Sequence, residues 1–484
     1  MSAASRGGQR LVVVGHGMAA SRLVEELVRR DAGYDITVIG DEAEPGYNRI
    51  LLSAVLEGAH RGEDVWLRGP AWYAENGVRL VSGRRVLALD RAARTLRLSD
   101  GSEQEYDRLV LATGSRPLIP PIRGVVTAEG LHPAVHAFRS IADCRRLEDE
   151  IAPGRRAVVV GGGLLGLQVA RALSVRGLRV EIVEVGPHLM GAQLSPAAAR
   201  VVERRVRALG TDVYTGARGV GFSDAGLRLD NGYALSTDLL VLACGSRPAT
   251  KLAQRSGLMV RRGVVVDERL QSVTDDRVHA IGDCAERRGR VHGFVGPAWE
   301  QAVVLARLLT GQQQRYDGSR VVARLRANGL DVAVLGDPEH TSGDVVEMAN
   351  PLHGAYRKLV MREGVVRAAV LVGDLARVGS ITQHYDRGSV LGAAEAGWLL
   401  CGDPPAGPVE TPDDAEVCSC AGVTAGRIRA CSDLDDAVAT TRAGTGCGGC
   451  RDSIRRLLQR PPERPRGGAV SGGSDTSHRD LVSA

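Results

Sequence analysis

The sequence predicts an α/β protein with two Rossmann-like units, a smaller α+β domain and a compact helical module near the C-terminus. An apolar strand followed by a glycine-rich turn occurs twice, at residues 11–20 and 157–166. A second repeat, Leu-Val-Leu-Ala-x-Gly-Ser-Arg-Pro, ends at Pro117 and again at Pro248, so two halves of the chain share one α/β pattern. After Gly311, short alternating segments replace this pattern, and four cysteines cluster further on.

Length and composition fit a multidomain globular protein. A chain of 484 residues exceeds what a single core organises, and its 44% apolar and 25% charged residues are ordinary globular values. The 61 glycines suggest tight turns and close approaches of the backbone to a ligand. The net charge of +5 is small for this length, and no basic stripe is interleaved with aromatics, so nucleic acid is not expected as a partner.

The chain lacks the signals of a membrane or secreted protein. No apolar run is long enough to cross a bilayer, so no membrane partner is expected. The first ten residues contain no apolar stretch typical of a signal peptide, and we therefore expect a cytoplasmic protein. In that compartment the nine cysteines are metal ligands, reactive thiols or core residues rather than a disulfide framework.

The first glycine fingerprint follows a strand and opens a helical pattern at residues 19–30. Its first glycine makes the tight turn, its second lets the backbone approach a pyrophosphate, and a small third residue lets helix and strand pack closely. The phosphates would meet the helix N-terminus. A second strand, at residues 35–39, leads to acidic residues that would meet a ribose hydroxyl. The first dinucleotide site is therefore predicted at Gly15, Gly17, Ala20, Asp41 and Glu42.

The second fingerprint has glycine at all three positions, Gly161, Gly163 and Gly166. The strand after its helix ends at Glu184, about twenty residues past the glycines, where a carboxylate would bind both ribose hydroxyls. A carboxylate there repels a 2′-phosphate, and no arginine follows it until Arg200. The second site is therefore predicted to prefer NADH over NADPH.

Two dinucleotide sites in one chain resemble the flavoprotein family of ferredoxin and rubredoxin reductases. The resemblance rests on residues 112–114, 245–248 and 281–283, which read Ala-Thr-Gly, Gly-Ser-Arg-Pro and Ile-Gly-Asp. It implies FAD at the first fingerprint and NADH at the second. It also implies that Asp283 holds the ribityl chain and that the Val86 backbone meets the adenine. The further cofactor-binding residues implied by these motifs are Thr113, Gly114 and Gly245.

The segments at residues 47–53, 161–167 and 187–190 give a closer resemblance. They are similar to the N-terminal half of the large subunit of NADH-dependent assimilatory nitrite reductase and to the electron-transfer subunit of assimilatory nitrate reductase. The resemblance implies that Tyr47 and Arg49 lie beside the isoalloxazine or the pyrophosphate. No catalytic acid or base is predicted, because the residues near the flavin position cofactors whose own chemistry transfers the hydride.

Four cysteines form the last predicted site, Cys418, Cys420, Cys447 and Cys450. Four thiolates suit either a structural zinc ion or an iron–sulfur cluster, and the spacing alone leaves both open. The sequence around both pairs resembles bacterioferritin-associated ferredoxin modules, which implies a [2Fe–2S] cluster.

These features divide the chain into seven predicted segments. The predicted segments are an N-terminal tail at 1–9, an FAD-binding domain at 10–123 and 251–310, an NAD-binding domain at 124–250, an α+β domain at 311–402 with one helix over 381–400, a linker at 403–415, a [2Fe–2S] module at 416–459 and a disordered tail at 460–484.

The expected function is that of an electron-transferring reductase component. Nitrite reduction needs sirohaem and a [4Fe–4S] cluster in a further cysteine-rich domain, and no cysteine follows Cys450. The resemblance implies a molybdenum nitrate reductase, or a small electron carrier, as the electron acceptor, and a homodimer formed through the α+β domain. The alternatives are a general NADH:ferredoxin or rubredoxin reductase and a redox- or iron-sensing cluster protein.

Overall fold

The computed structural model describes residues 8–327, 329–401, 411–418, 421–445 and 450–459. The predicted tails at 1–9 and 460–484 and the predicted linker at 403–415 therefore lie wholly or largely outside the described residues. Within the described part of the chain, no helix is both long enough and apolar enough to cross a bilayer.

The first part of the chain builds a parallel sheet with the strand order β21-β7-β1-β2-β3. Four of its strands come from the first part of the chain, and the fifth, β21 (Val278–Ala280), comes from much later in the sequence. Before the chain passes to the second unit, its helices and strands are β1 (Arg10–Val14), α1 (Met18–Arg29), β2 (Asp35–Ile39), α2 (Leu52–Glu57), α3 (Pro70–Glu75), β3 (Arg79–Val81), β4 (Val86–Asp90), β5 (Thr95–Leu98), β6 (Glu103–Glu105), β7 (Arg108–Leu111) and β8 (Ser115–Pro117).

A second parallel sheet repeats this architecture with the order β11-β18-β12-β13-β14. Its valine-rich and leucine-rich strands are buried on both faces, as a sheet covered by helices requires. Its elements are β9 (Val126–Thr127), β10 (Gly130–Leu131), β11 (Val135–Ala137), α4 (Ile141–Glu148), β12 (Arg156–Val160), α5 (Leu164–Val175), β13 (Arg179–Glu184), α6 (Pro196–Ala208), β14 (Asp212–Thr215), β15 (Gly219–Ser223), β16 (Gly226–Leu229), β17 (Ala234–Leu235), β18 (Leu239–Leu242) and β19 (Ser246–Pro248).

The chain leaves the first sheet and returns to it along a pair of antiparallel strands, because β8 pairs with β19. Beyond β19 it completes the first unit, where β21 pairs in parallel with β7. The returning elements are α7 (Lys251–Arg255), β20 (Val264–Val265), β21 (Val278–Ala280), β22 (Ala285–Glu286) and α8 (Val295–Leu309).

A five-stranded antiparallel sheet and two helices follow. Their bounds are β23 (Val322–Ala327), β24 (Leu330–Leu335), β25 (Asp344–Asn350), β26 (Ala355–Arg362), β27 (Val365–Val372), α9 (Val378–Arg387) and α10 (Ala393–Cys401). The single helix predicted over 381–400 is wrong, because α9 ends at Arg387 and the next residue, Gly388, takes a left-handed conformation with φ of 63°. The sequence also did not predict β25, an edge strand that is exposed at nearly every position and so has no alternating pattern.

The C-terminal module, residues 411–459 as far as they are described, is small and mainly helical. Its elements are β28 (Glu416–Cys418), β29 (Val423–Thr424), α11 (Ala425–Arg429), α12 (Leu434–Thr441) and α13 (Arg451–Leu458). Val423, Ile428, Ala437 and Ile454 form its own small core. The predicted fold class of two Rossmann-like units, an α+β domain and a helical module is thus confirmed, whereas the numbered domain boundaries stay a prediction.

Candidate functional site

A cavity of about 1380 Å³ is lined by residues from the first unit, α5, the α+β domain and the C-terminal module. The predicted site residues in its wall are Gly15, Gly17, Asp41, Glu42, Arg49, Val86, Thr113, Gly114 and Asp283. The predicted residues outside its wall are Ala20, Gly161, Gly163, Gly166, Glu184 and Gly245. The start of α5 still reaches the cavity, since Leu164, Leu165 and Gln168 line it.

The glycine turn after β1 has the shape that a pyrophosphate needs. Gly15 has φ of 104°, and a Cβ there would lie 2.2 Å from the Ala112 carbonyl oxygen, so no larger residue fits. At Gly17 nothing lies within 4 Å of the Cβ position, and α1 begins there without a side-chain cap. The first amide groups of α1 are therefore available to an anion in the cavity. Ala20 is fully buried in the core behind this turn.

The second turn repeats this geometry. Gly161 has φ of 113°, and α5 begins at Gly163 without a side-chain cap. A Cβ at Gly166 would lie 1.8 Å from the Gly161 carbonyl oxygen, which explains why glycine stands at the third position. Gly245, with φ of 94°, accepts a hydrogen bond from the Leu118 N–H through its carbonyl, where the chain passes between the two units.

The strand register shows that the two sites differ in their acidic residue. The last residue of β2 that pairs with β1 is Ile39, and the last residue of β13 that pairs with β12 is Val183. The position after it is Gly40 in the first site and Glu184 in the second. A Cβ at Gly40 would lie 2.9 Å from the His16 Cβ, so the histidine takes the space that a side chain would need there. Only the second site thus has a carboxylate at this register position.

Glu184 is already oriented in the second site. Its two carboxylate oxygens accept hydrogen bonds from the backbone N–H groups of Gly162 and Gly186, both at 2.6 Å. These bonds tie the glycine turn to the segment after β13. They leave the remaining lone pairs of both oxygens for donors such as ribose hydroxyls.

In the first site the two predicted carboxylates lie one and two residues further on. Glu42 accepts a hydrogen bond of 2.6 Å from the Tyr47 hydroxyl and forms an ion pair with Arg49. The Arg49 guanidinium also lies over the Tyr47 ring, 4.8 Å from its centroid. Asp41 lies 3.7 Å from Arg85 with its side chain half exposed. Glu42 therefore orders the Tyr47–Arg49 loop, and Asp41 is the more open carboxylate.

His16 lies inside the first fingerprint, at a position for which the motif specifies no residue. Its Nε2 is 2.7 Å from the Tyr73 hydroxyl and accepts a hydrogen bond from the Gly46 N–H at 3.3 Å, so the ring proton is assigned to Nδ1. Nδ1 is buried without a partner among the described residues. Burial lowers the pKa of His16 to about 4, so the ring is neutral near pH 7. A buried donor without a partner at this position fits a polar atom of a bound dinucleotide.

Asp283 is held where the two units meet. Its carboxylate accepts hydrogen bonds from the Ser115 hydroxyl at 2.8 Å and from the Arg139 guanidinium at 2.6 Å. The Thr113 hydroxyl donates at 2.7 Å to the Ala249 carbonyl, which joins the outgoing and returning segments. No sequence motif marks Arg139, whose role depends on contacts with residues distant in sequence.

Helix α8 brings an indole beside the start of α1. The Trp299 Nε1–H donates to the Met18 carbonyl at 3.1 Å, and the Arg22 guanidinium lies 5.8 Å from the indole centroid. Gly422 of the C-terminal module lies against the same ring, because a Cβ there would be 3.3 Å from two indole carbons. Trp299 and Gly422 both line the cavity, so the module contacts the site that the first fingerprint forms.

Three carboxyl groups from three parts of the chain also line the cavity, Glu300, Asp386 and Glu416. Burial raises the pKa of Glu300, and the charge of Glu416 adds to this effect. Burial, again with Glu416, raises the pKa of Asp386 to about 6. No sequence motif places these three carboxyl groups together, because the group forms only when α8, α9 and β28 come together.

Two of the four predicted cysteine ligands are described, and they belong to one small core. Cys418 is 2% exposed and Cys450 is 4% exposed, and both pack with Val423 and Ile454. Cys420 and Cys447 lie outside the described residues. Two buried thiols brought together from the two ends of the module suit a thiolate-ligated cluster.

Comparison with known families supports this interpretation. The description "Pyridine nucleotide-disulphide oxidoreductase" matches residues 9–303, and "BFD-like [2Fe-2S] binding domain" matches residues 416–460. The first match implies FAD and a nicotinamide dinucleotide, and the second implies a [2Fe–2S] cluster. The cavity, the two uncapped glycine turns and the paired cysteines fit these three cofactors.

Individual relatives extend over nearly the whole chain. The nitrite reductase [NAD(P)H] of Bacillus subtilis (strain 168) is 35% identical over 94% of this chain and 58% of its own length. The assimilatory nitrate reductase electron transfer subunit of the same organism is 30% identical over 93% of this chain and 59% of its own length. The chain thus spans somewhat more than half the length of these two relatives.

Among solved structures, the covalent putidaredoxin reductase–putidaredoxin complex aligns with a TM-score of 0.74 and 26% identity. The alignment covers 82% of this chain and 96% of that chain. The resemblances inferred from the sequence motifs are confirmed. The chain belongs to the pyridine nucleotide-disulphide oxidoreductase family and is an oxidoreductase that carries a BFD-like [2Fe–2S] domain.

Proposed function

We propose that the protein oxidises NADH at its flavin site and delivers single electrons through its [2Fe–2S] module to a terminal reductase, which we take to be an assimilatory nitrate reductase. One observation carries the proposal. Residues of the module, Glu416 and Gly422, line the same cavity as the first glycine fingerprint. A module that only bound a partner would not need to contact the flavin site, whereas a module that accepts electrons from the flavin must lie close to it.

The residues of the chain act by binding and orienting. The uncapped amides of α1 would hold the FAD pyrophosphate, while Asp283 and its partner Arg139 would hold the ribityl chain. The corresponding amides of α5 and the carboxylate of Glu184 would hold NADH. When bound, the flavin supplies hydride chemistry and the cluster supplies single-electron transfer.

Among the side chains of the cavity wall, His16, Glu300 and Asp386 have shifted pKa values. Burial lowers the pKa of His16 to about 4, so this ring is neutral near pH 7. Burial raises the pKa of Glu300 and raises the pKa of Asp386 to about 6. We propose that these groups shape the binding site, while the cofactors supply the redox chemistry.

The choice of acceptor rests on the relatives. One is an assimilatory nitrate reductase electron transfer subunit and the other is a nitrite reductase, and the chain covers 59% and 58% of their lengths, so coverage does not separate them. The name of the first relative describes a component that delivers electrons to a separate reductase, which is the role that we propose for the flavin site and the cluster module. We therefore propose nitrate reductase as the partner. We also propose a homodimer through the α+β domain, because its strand β25 lies at the edge of the sheet and is exposed at nearly every position.

The proposal is tested by disabling the cluster and leaving the flavin intact. Cys418→Ser removes a proposed ligand, so NADH should still bleach the flavin while electron transfer to nitrate reductase is lost. Cys431→Ser is the matched control, since Cys431 lies in the same module but donates its S–H to the Arg427 carbonyl and is not one of the four. Full electron transfer by Cys418→Ser would contradict the proposal.

A general NADH:ferredoxin reductase is the second candidate, favoured by the similarity to the putidaredoxin reductase complex. The two functions differ in the acceptor that is reduced. Steady-state rates with a purified nitrate reductase and with a small ferredoxin, measured on the same preparation, separate them. Faster reduction of the ferredoxin would favour the second candidate.

A further inference from the structure

One arginine of the C-terminal module reaches far across its boundary with the first unit. Arg442 follows α12 and precedes Cys447 by five residues. Its Nη2 donates to the Asp64 carbonyl at 2.7 Å, and its Nη1 donates to the carbonyls of Trp66 and Leu67, the latter at 3.3 Å. These bonds join residues more than 370 positions apart in the sequence.

The three carbonyls lie in and just after a 3₁₀ turn at Glu63–Val65, which Trp66 caps. Carbonyls at the end of such a turn have no donor within the turn and need one from elsewhere. The Val65 carbonyl is satisfied by the Asn48 N–H at 2.8 Å. Arg442 serves the remaining carbonyls, and its planar guanidinium suits several acceptors at once.

The bonds of Arg442 depend on docking of the module. Within the described part of the chain, no ion pair joins Arg442 to a carboxylate. Burial, with the nearby charge of Arg68, lowers the pKa of Arg442. Arg442 also has φ of 61°, a left-handed conformation that costs free energy for a residue with a side chain. The hydrogen bonds to the three carbonyls across the boundary replace those to water that the guanidinium loses on burial.

The same 3₁₀ segment is hydrogen-bonded to a loop that leads into the wall of the cavity. Trp66 pairs with Tyr47 in an antiparallel bridge, and the Leu67 N–H donates to the Gly46 carbonyl at 2.8 Å. The loop that follows Tyr47 in the chain carries Arg49, which lines the cavity. Arg442 thus binds a segment that is hydrogen-bonded to the loop carrying Arg49, and that loop forms part of the cavity wall.

A second contact lies close in sequence to the other cysteine pair. Gly422, two residues after Cys420, has φ of 59° and packs against the Trp299 ring and the Arg22 guanidinium. The stretches that flank both cysteine pairs are therefore each attached to the first unit, one by Gly422 and one by Arg442. Two separate attachments define an orientation, whereas one would leave the module free to pivot.

We propose that Arg442 is a positioning residue that fastens the [2Fe–2S] module to the flavin domain in the orientation that accepts electrons. The inference rests on the proposed electron relay from flavin to cluster. It assigns to a residue outside the cysteine motif the task of keeping the two redox centres at a productive separation.

The test compares Arg442→Ala with Arg442→Lys and with the control Arg429→Ala. Arg429 is an arginine of the same module whose guanidinium, among the residues that the structure describes, bonds within the module, to Asp413 and to the Thr411 carbonyl. Anaerobic stopped-flow mixing of the holoenzyme with NADH follows flavin bleaching and cluster reduction separately. In Arg442→Ala the bleaching rate should be unchanged and cluster reduction should slow by about tenfold, the effect of losing about 1.4 kcal/mol of docking free energy.

Two further readouts separate positioning from a merely structural role. Flavin content, cluster content and the EPR spectrum of the reduced cluster should equal those of the wild type. Hydrogen exchange at the segment 64–67 should accelerate in Arg442→Ala and remain unchanged in Arg429→Ala. Arg442→Lys, which keeps a cation able to reach one carbonyl, should recover part of the cluster-reduction rate.

The failures of the two proposals can be told apart. If NADH reduces the cluster of the wild type and Arg442→Ala performs equally, the positioning role is wrong and the relay stands. If Arg442→Ala loses its cluster, the residue is structural and the inference is overturned. If the wild-type cluster takes no electrons from the flavin, the proposed function fails and the inference fails with it.

Discussion

Replacing Glu184 with alanine tests the second nucleotide site and its preference for NADH. The carboxylate stands at the end of β13, next to the uncapped N-terminus of α5. It accepts two hydrogen bonds of 2.6 Å from backbone N–H groups, so its position is set before a ligand binds. The first site has Gly40 at the corresponding register position, which makes Glu184 specific to the second site.

The magnitude follows from the kind of bond that would be lost. A hydrogen bond to a charged group contributes about 1.5–3 kcal/mol. Since each 1.4 kcal/mol corresponds to a factor of ten, kcat/KM for NADH should fall by about 10- to 150-fold. The value for NADPH should fall less or rise, because the alanine variant no longer opposes a 2′-phosphate with a negative charge.

The assay is anaerobic flavin reduction, with NADH and NADPH titrated separately on each variant. Glu181→Gln is the matched control, because Glu181 lies on the same strand but on its opposite face, where it accepts a hydrogen bond of 3.0 Å from the Tyr214 hydroxyl. An equal loss with both nucleotides would mean that Glu184 only shapes the turn. An unchanged value for NADH would refute the assignment of the second site.

Two further substitutions test the cavity from other sides. Gly166→Ala should raise KM for NADH by about tenfold or more while FAD content stays constant. The reason is that the new Cβ would lie 1.8 Å from the Gly161 carbonyl oxygen, well inside contact distance. A KM equal to that of the wild type would contradict this close fit. Asp386→Asn should raise the thermal unfolding temperature near neutral pH but not at about pH 4. The raised pKa of Asp386, about 6, means that its protonated form favours the folded state, and that this contribution is lost as the pH rises through that value; an equal gain at both pH values would refute the reasoning.

Much of the site could be predicted because dinucleotide binding depends on local backbone geometry. Gly15 and Gly161 adopt positive φ values next to a strand end, and a single sequence motif specifies this turn. The ribose carboxylates show the limit of that reasoning. Glu184 occupies the register position that the motif implies, whereas in the first site Gly40 stands there and Asp41 and Glu42 follow it. Strand register, which motif spacing only approximates, decides which residue reaches the ligand.

By itself the sequence determined the two Rossmann-like units, the two glycine fingerprints and the cysteine module, because periodic apolar patterns and glycine turns act over a few residues. Tertiary structure alone decided that Arg139 holds Asp283, that three carboxyl groups share one cavity, and that Arg442 crosses to the 3₁₀ turn at Glu63–Val65. These residues come from different parts of the chain, and the hydrogen bonds of Arg139 and Arg442 join residues more than a hundred positions apart, so no local pattern encodes them. They arise because domains with separate cores still leave polar groups at their boundaries, and each buried group needs a partner there.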